Sequence, residues 1–151
     1  MSSSETNLVK LSQWDALILE SLKSLGWQAD ELLRRVRDGE LPTDDSKFKF
    51  DYTRLTELAG SDSAAFEHAV RHGYRIKYNT LRGIASWLLL AYGHEAELNL
   101  EPSRESVVAH LTEKERDGLK AVLSYGWVVH GKHDASPETT STYIIEPLVR
   151  G

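Results

Sequence analysis

The segment from Thr80 to Tyr92 constrains the fold more than any other part of the chain. Leu81, Ile84, Ala85, Trp87, Leu88, Leu89 and Leu90 leave a helix here apolar nearly all round. Its longest apolar run, Ile84 to Tyr92, is far shorter than the roughly 20 residues that a membrane helix needs. Such a helix has to be covered, either by the rest of the chain or by a second copy. Trp87 and its neighbours are therefore a candidate homodimer contact. Asn79 is placed to cap the helix, and beyond Gly93 the pattern changes.

The chain has 151 residues, enough to bury roughly two-thirds of its unfolded surface and supply that cover itself. Residues 1–7, MSSSETN, read as a disordered tail without the apolar stretch of a signal peptide. Ser12 caps a first helix with Trp14, Leu17, Ile18, Leu22 and Leu25 on its apolar face. A second helix turns Ala29, Leu32, Leu33 and Val36 inward and Arg34, Arg35 and Arg37 outward. Pro42 and polar neighbours make 39–50 a connector, in which Phe48 and Phe50 alternate with Lys47 and Lys49. A third helix begins near Asp51, with Tyr52, Leu55, Leu58 and Ala59 inward. The turn AGSDS, Ala59 to Ser63, leads to a fourth helix capped by Asp62 or Ser63 and ended by Gly73. The ribbon YRIKYN then sets Tyr74, Ile76 and Tyr78 against Arg75, Lys77 and Asn79, with the aromatic set facing the core.

The remainder reads as ββαββ. ELNLE (97–101) and SVVAHL (106–111) are strand-like, although Ser103 is also placed to cap a helix running through His110. Thr112 and Glu115 form a capping box for a helix ending at Gly126. WVVHG (127–131) and STYIIEP (141–147) close the chain as a hairpin. SLGW at 24–27 and SYGW at 124–127 share helix-end chemistry: glycine supplies a positive φ and the tryptophan packs back on the last turn. The expected class is α+β. Residues 8–93 form about five helices with a helix-turn-helix-like corner at 51–73, and residues 94–151 form a small antiparallel sheet carrying one helix. Both parts are expected to share one core.

Function is less plainly written. The net charge is -5, yet residues 63–93 carry Arg71, Arg75, Lys77 and Arg82 against Glu67 alone. This positive segment coincides with the corner. LAGSDSAAF is similar in outline to the turn of bacterial repressors, with Gly60 at the turn and Phe66 as its anchor. The likeness implies that His68, Arg71 and His72 face a DNA groove. Arg75, Lys77 and Arg82 would then hold phosphates. A plain helical corner packed on the apolar helix accounts for the same residues. The hairpin loop resembles a wing in shape, but Asp134 and Glu138 offset Lys132 and His133. Tyr74 and Tyr78 beside Arg75 and Lys77 are candidate platforms for single-stranded bases.

His68 and His72 have metal-gripping spacing, and His130, His133 and Asp134 form a second cluster, but each lacks a further ligand. The chain has no cysteine, which removes disulfides and thiolate zinc sites and suits a cytoplasmic location. No phosphate-binding loop, dinucleotide fingerprint or nucleophile elbow occurs, so no enzyme activity, cofactor or metal is expected. The first expectation is a small cytoplasmic DNA-binding regulator without a membrane segment. Its rival is a non-catalytic protein-interaction module, an adaptor, inhibitor or assembly factor of host or phage origin. The rival would use exposed aromatics, the edge of the sheet, or a dimer contact.

Overall fold

The computed structural model describes residues 9–131 and 139–148. The expected tail lies outside this range, as do Lys132, His133, Asp134 and Glu138 of the hairpin loop. In chain order the elements are β1 (Lys10–Leu11), α1 (Gln13–Lys23), α2 (Ala29–Asp38), α3 (Thr53–Ser61) and α4 (Ser63–His72). β2 (Arg75–Ile76), α5 (Leu81–Tyr92), β3 (Glu97–Asn99) and β4 (Ser106–Leu111) follow. α6 (Glu113–Val122), β5 (Trp127–His130) and β6 (Ser141–Pro147) complete the α+β fold. One cluster of buried apolar residues runs from Leu11 to Ile145.

Helix α1 is the most enclosed. The Ser12 hydroxyl accepts the Asp15 N–H, as its cap position requires. Asp15 through Leu22 are all buried, including three polar residues. Each of these has a partner, as burial demands. Asp15 pairs with Arg54, the Ser21 hydroxyl lies 2.6 Å from that of Tyr52, and Glu20 accepts the Tyr74 hydroxyl at 2.7 Å. Trp14 and Leu25, expected inside, are instead 51% and 48% exposed. They lie at the two ends of the helix, beyond its most tightly packed turns. Trp14 still covers one side by meeting Phe50 edge-on at 5.2 Å.

One face of α5, with Gly83, Ile84, Trp87 and Leu88, is buried by this chain, while Ala85, Leu89 and Leu90 are half-buried. Trp87 is only 4% exposed and its indole N–H donates to Tyr74, so it packs in the core. The cap is Thr80 rather than Asn79: the Thr80 hydroxyl accepts the Gly83 N–H at 3.1 Å. Asn79 is drawn away by a distant loop. It is 2% exposed, its Oδ1 accepts the Ser124 N–H at 2.7 Å, and its own N–H donates to the Ser124 hydroxyl at 3.2 Å. Gly83 lets the start of α1 sit directly on α5. A Cβ there would fall 1.9 Å from the Gln13 carboxamide, which also bonds Thr80.

The main sheet is antiparallel in the order β3-β4-β6-β5. β4 and β5 both pair with β6, so they run parallel to each other and are linked through α6. Residues 106–111 form a strand, which excludes the alternative helix to His110. Val107, Ala109, Leu111, Tyr143 and Ile145 are its fully buried residues, alternating with more exposed ones along both strands. Thr112 and Glu115 complete the expected capping box on α6. β1 pairs in parallel with β2, tying the start of the described chain to the ribbon.

The corner departs from the expected turn. Gly60 and Ser61 continue α3, and Asp62 alone separates it from α4. The Asp62 carboxylate accepts the Ala65 N–H at 3.1 Å, which starts α4 at once. Gly60 is therefore a helical residue and not the pivot of a turn.

Candidate functional site

The six residues expected to face DNA occupy several different surroundings. Arg71 is drawn back onto its own scaffold, where its guanidinium bonds both Asp30 and Glu67. Bonding first to Asp30 and then to Glu67 raises its pKa above the ordinary arginine value. It lines a groove of about 480 Å³ between α2, α3 and α4 whose floor includes Leu33 and Phe66. His68 and His72 sit side by side on α4, with ring centroids 5.0 Å apart. Among the described residues, no three His, Cys, Asp or Glu side chains converge on a metal position. His130, from the second expected cluster, lies 2.9 Å from Glu146.

Arg75 is turned inward. Its Nη1 donates to the Leu123 carbonyl at 2.5 Å, and its guanidinium lies 4.6 Å from the Tyr125 ring centroid. Leu123 is the C-cap of α6, so this bond satisfies a carbonyl that the helix leaves open. Lys77 and Arg82 are exposed, and among the described residues neither has an ion-pair partner. Arg82 borders a hollow with Lys47 and Glu95 on the α5–β3 side.

The ribbon alternates as expected only through Ile76. Tyr74 and Ile76 are buried, but the strand ends there and a bend reverses the pattern. Tyr78 is 75% exposed and Asn79 is buried. The reversal follows from the Asn79–Ser124 pair, which pulls residue 79 inward and leaves residue 78 outside. Tyr74 is thus removed as a stacking platform and Tyr78 is retained.

That same pair assembles a surface that sequence spacing does not reveal. Tyr78 precedes Asn79, and Tyr125 follows Ser124. Two reciprocal hydrogen bonds therefore tie together the chain positions next to two tyrosines that are 75% and 76% exposed. They border a groove of about 560 Å³ with Trp127, Pro147, Thr80 and Glu105. Gly126 has φ of 102°, letting the chain turn sharply from exposed Tyr125 to half-buried Trp127. Lys10 and Arg75 stand 5.9 Å and 4.6 Å from the Tyr125 ring centroid, within cation–π range. The local signal was SYGW. Gly126 has the expected positive φ, but α6 ends earlier than expected, at Val122 with Leu123 as an extended cap, so Gly126 turns the chain into β5 and Tyr125 carries the exposed ring.

Comparison with protein-family models, with curated proteins and with solved structures finds no match for this chain. Among the described residues, no helix is long and apolar enough to cross a membrane.

Proposed function

We propose that the protein is a protein-interaction module that docks an extended segment of a partner between Tyr78 and Tyr125. The observation that carries this reading is the pair of exposed tyrosines on one groove, each next to a residue of the Asn79–Ser124 hydrogen-bonded pair. Tyrosine and tryptophan are enriched in interface cores because they offer large contact area at little rotamer cost. The Tyr125 ring, already in contact with Arg75 and Lys10, loses less freedom on binding than a ring without contacts. Trp127, on the groove wall, also begins β5, which lies at the edge of the sheet order. A partner strand following the groove onto that edge would gain backbone hydrogen bonds as well as ring contacts. Against duplex DNA stand the commitments of Arg71 and Arg75 to internal partners and the net charge of -5.

The test is partner capture with wild type, Arg71→Ala and the Tyr78→Ala/Tyr125→Ala double variant in parallel. A protein retained by the first two and lost with the third, at unchanged thermal stability, supports the groove. Equal capture by the tyrosine variant overturns it. Salt-dependent binding of mixed-sequence duplex DNA that disappears in Lys77→Ala/Arg82→Ala would return the protein to the regulator class.

A further inference from the structure

A second cleft, separate from the tyrosine groove, is bordered by a largely buried carboxylate with one oxygen that has no protein partner among the described residues. It lies between α1, α5 and α6, holds about 510 Å³, and is bordered by Glu20, Lys23, Tyr74, Trp87, Tyr92 and Gly118. The Glu20 side chain is only 9% exposed. Its Oε2 accepts the Tyr74 hydroxyl at 2.7 Å, and the Tyr74 oxygen in turn accepts the Trp87 indole N–H at 2.8 Å. An indole N–H can only donate, so the relay runs one way, from Trp87 through Tyr74 to Glu20. Oε2 is thereby fixed. Oε1 has no hydrogen-bond partner among the described residues, although a buried carboxylate ordinarily fills its acceptor sites. The single fully enclosed side-chain atom without a partner among those residues is Arg75 Nε, so Oε1 keeps some accessible surface, and Glu20 borders the cleft. Lys23 Nζ is 3.7 Å from Oε2 and 40% exposed, a loose ion pair that leaves Oε1 free.

The walls suit a cation. Trp87 and Tyr92 both border the cleft and meet edge-to-face at 5.2 Å, giving it an aromatic wall. Tyr92 is anchored by its hydroxyl donating to the Glu115 carbonyl at 3.1 Å. Gly118 makes that reach possible, since a Cβ there would lie 2.3 Å from the Tyr92 oxygen. Leu90 and Val122 add apolar surface. We propose that this cleft binds a small arylalkyl ammonium ion, its N–H donating to Glu20 Oε1 and its apolar body lying against Trp87, Tyr92 and Val122. The volume falls within the range of small-molecule sites. Lys23 is a competitor for the same carboxylate and weakens the site.

The experiment is an NMR titration of the intact chain with 2-phenylethylamine, following the tryptophan indole N–H signals. Four tryptophans give four such signals, and Trp87→Phe identifies the relevant one. A saturable shift of the Trp87 signal is expected. The neutral isostere 2-phenylethanol and the E20Q variant should each bind at least about ten-fold more weakly, because the charged hydrogen bond is lost. Lys23→Ala keeps the relay intact and should tighten binding about two- to five-fold, as expected for removing a surface ion pair. Absence of a Trp87 shift, equal response to the alcohol, or unchanged affinity in Lys23→Ala would each overturn the proposal.

Discussion

Replacing Arg75 with methionine separates a structural arginine from a phosphate contact. Methionine keeps much of the apolar stem and removes the guanidinium. The bond to the Leu123 carbonyl is charge-assisted, and its loss costs about 1.5–3 kcal/mol. Stacking on Tyr125 adds about 0.5–1 kcal/mol, near the exposed limit because that ring is 76% exposed. One effect runs the other way. Nε is enclosed without a partner, and its removal returns about 1–2 kcal/mol of desolvation. The balance is a net destabilisation of about 1–2 kcal/mol, or a fall in Tm of roughly 3–6 °C for a chain of this length. Urea unfolding followed by circular dichroism measures it directly. A freely solvated arginine would give a change within about 0.5 kcal/mol. A value that small would refute the role assigned here to Arg75 at the end of α6.

Tyr74→Phe should destabilise by roughly 2–5 kcal/mol in urea melts, since it strands both the Trp87 indole N–H and the Glu20 oxygen. Burial raises the Tyr74 pKa well above the ordinary tyrosine value and pushes Tyr92 up to about 12. These raised values favour the neutral hydroxyl in the folded state. Their stabilisation is complete below about pH 10, where the unfolded phenols ionise, and is lost for Tyr92 as pH rises toward 12. Tyrosinate absorbance should therefore show a late phase that coincides with loss of circular dichroism, and a Tyr92 phase complete while the fold persists would contradict this. Thr112→Ala removes the hydroxyl half of the capping box and should cost about 1 kcal/mol of stability, read from a thermal melt.

Local chemistry was legible in the sequence and long-range chemistry was not. Ser12 and the Thr112–Glu115 pair cap their helices as read, because every partner lies within one turn. Residues 141–147 form β6 with the same bounds, set by alternation and a terminal proline. Asn79 was read as a cap because a short polar residue before a helix has that local use. Its partners, Ser124 and Gln13, are distant in the chain, and they leave the cap to Thr80. The same distance hid the candidate site. Tyr78 and Tyr125 come together only through the Asn79–Ser124 pair, and no spacing rule connects them. Glu20 gave no signal, because its meaning depends on Tyr74 and Trp87 converging from two other elements. Arg75 and Arg71 read as solvent-facing cations because charge patterning reports residue type but not the acceptors that folding supplies.

The position of β6 bears on how the protein is made. It is the last strand in chain order, yet it lies inside the sheet between β4 and β5. As the chain leaves the ribosome, β3 and β4 can pair early, but β5 emerges with no neighbour to join. Tyr143 and Ile145, both fully buried, follow β3, β4 and β5 in the chain. A nascent chain that stops short of residue 141 therefore leaves two strand edges and the inner face of the sheet open to chaperones and proteases. Only a chain that includes β6 can close the sheet.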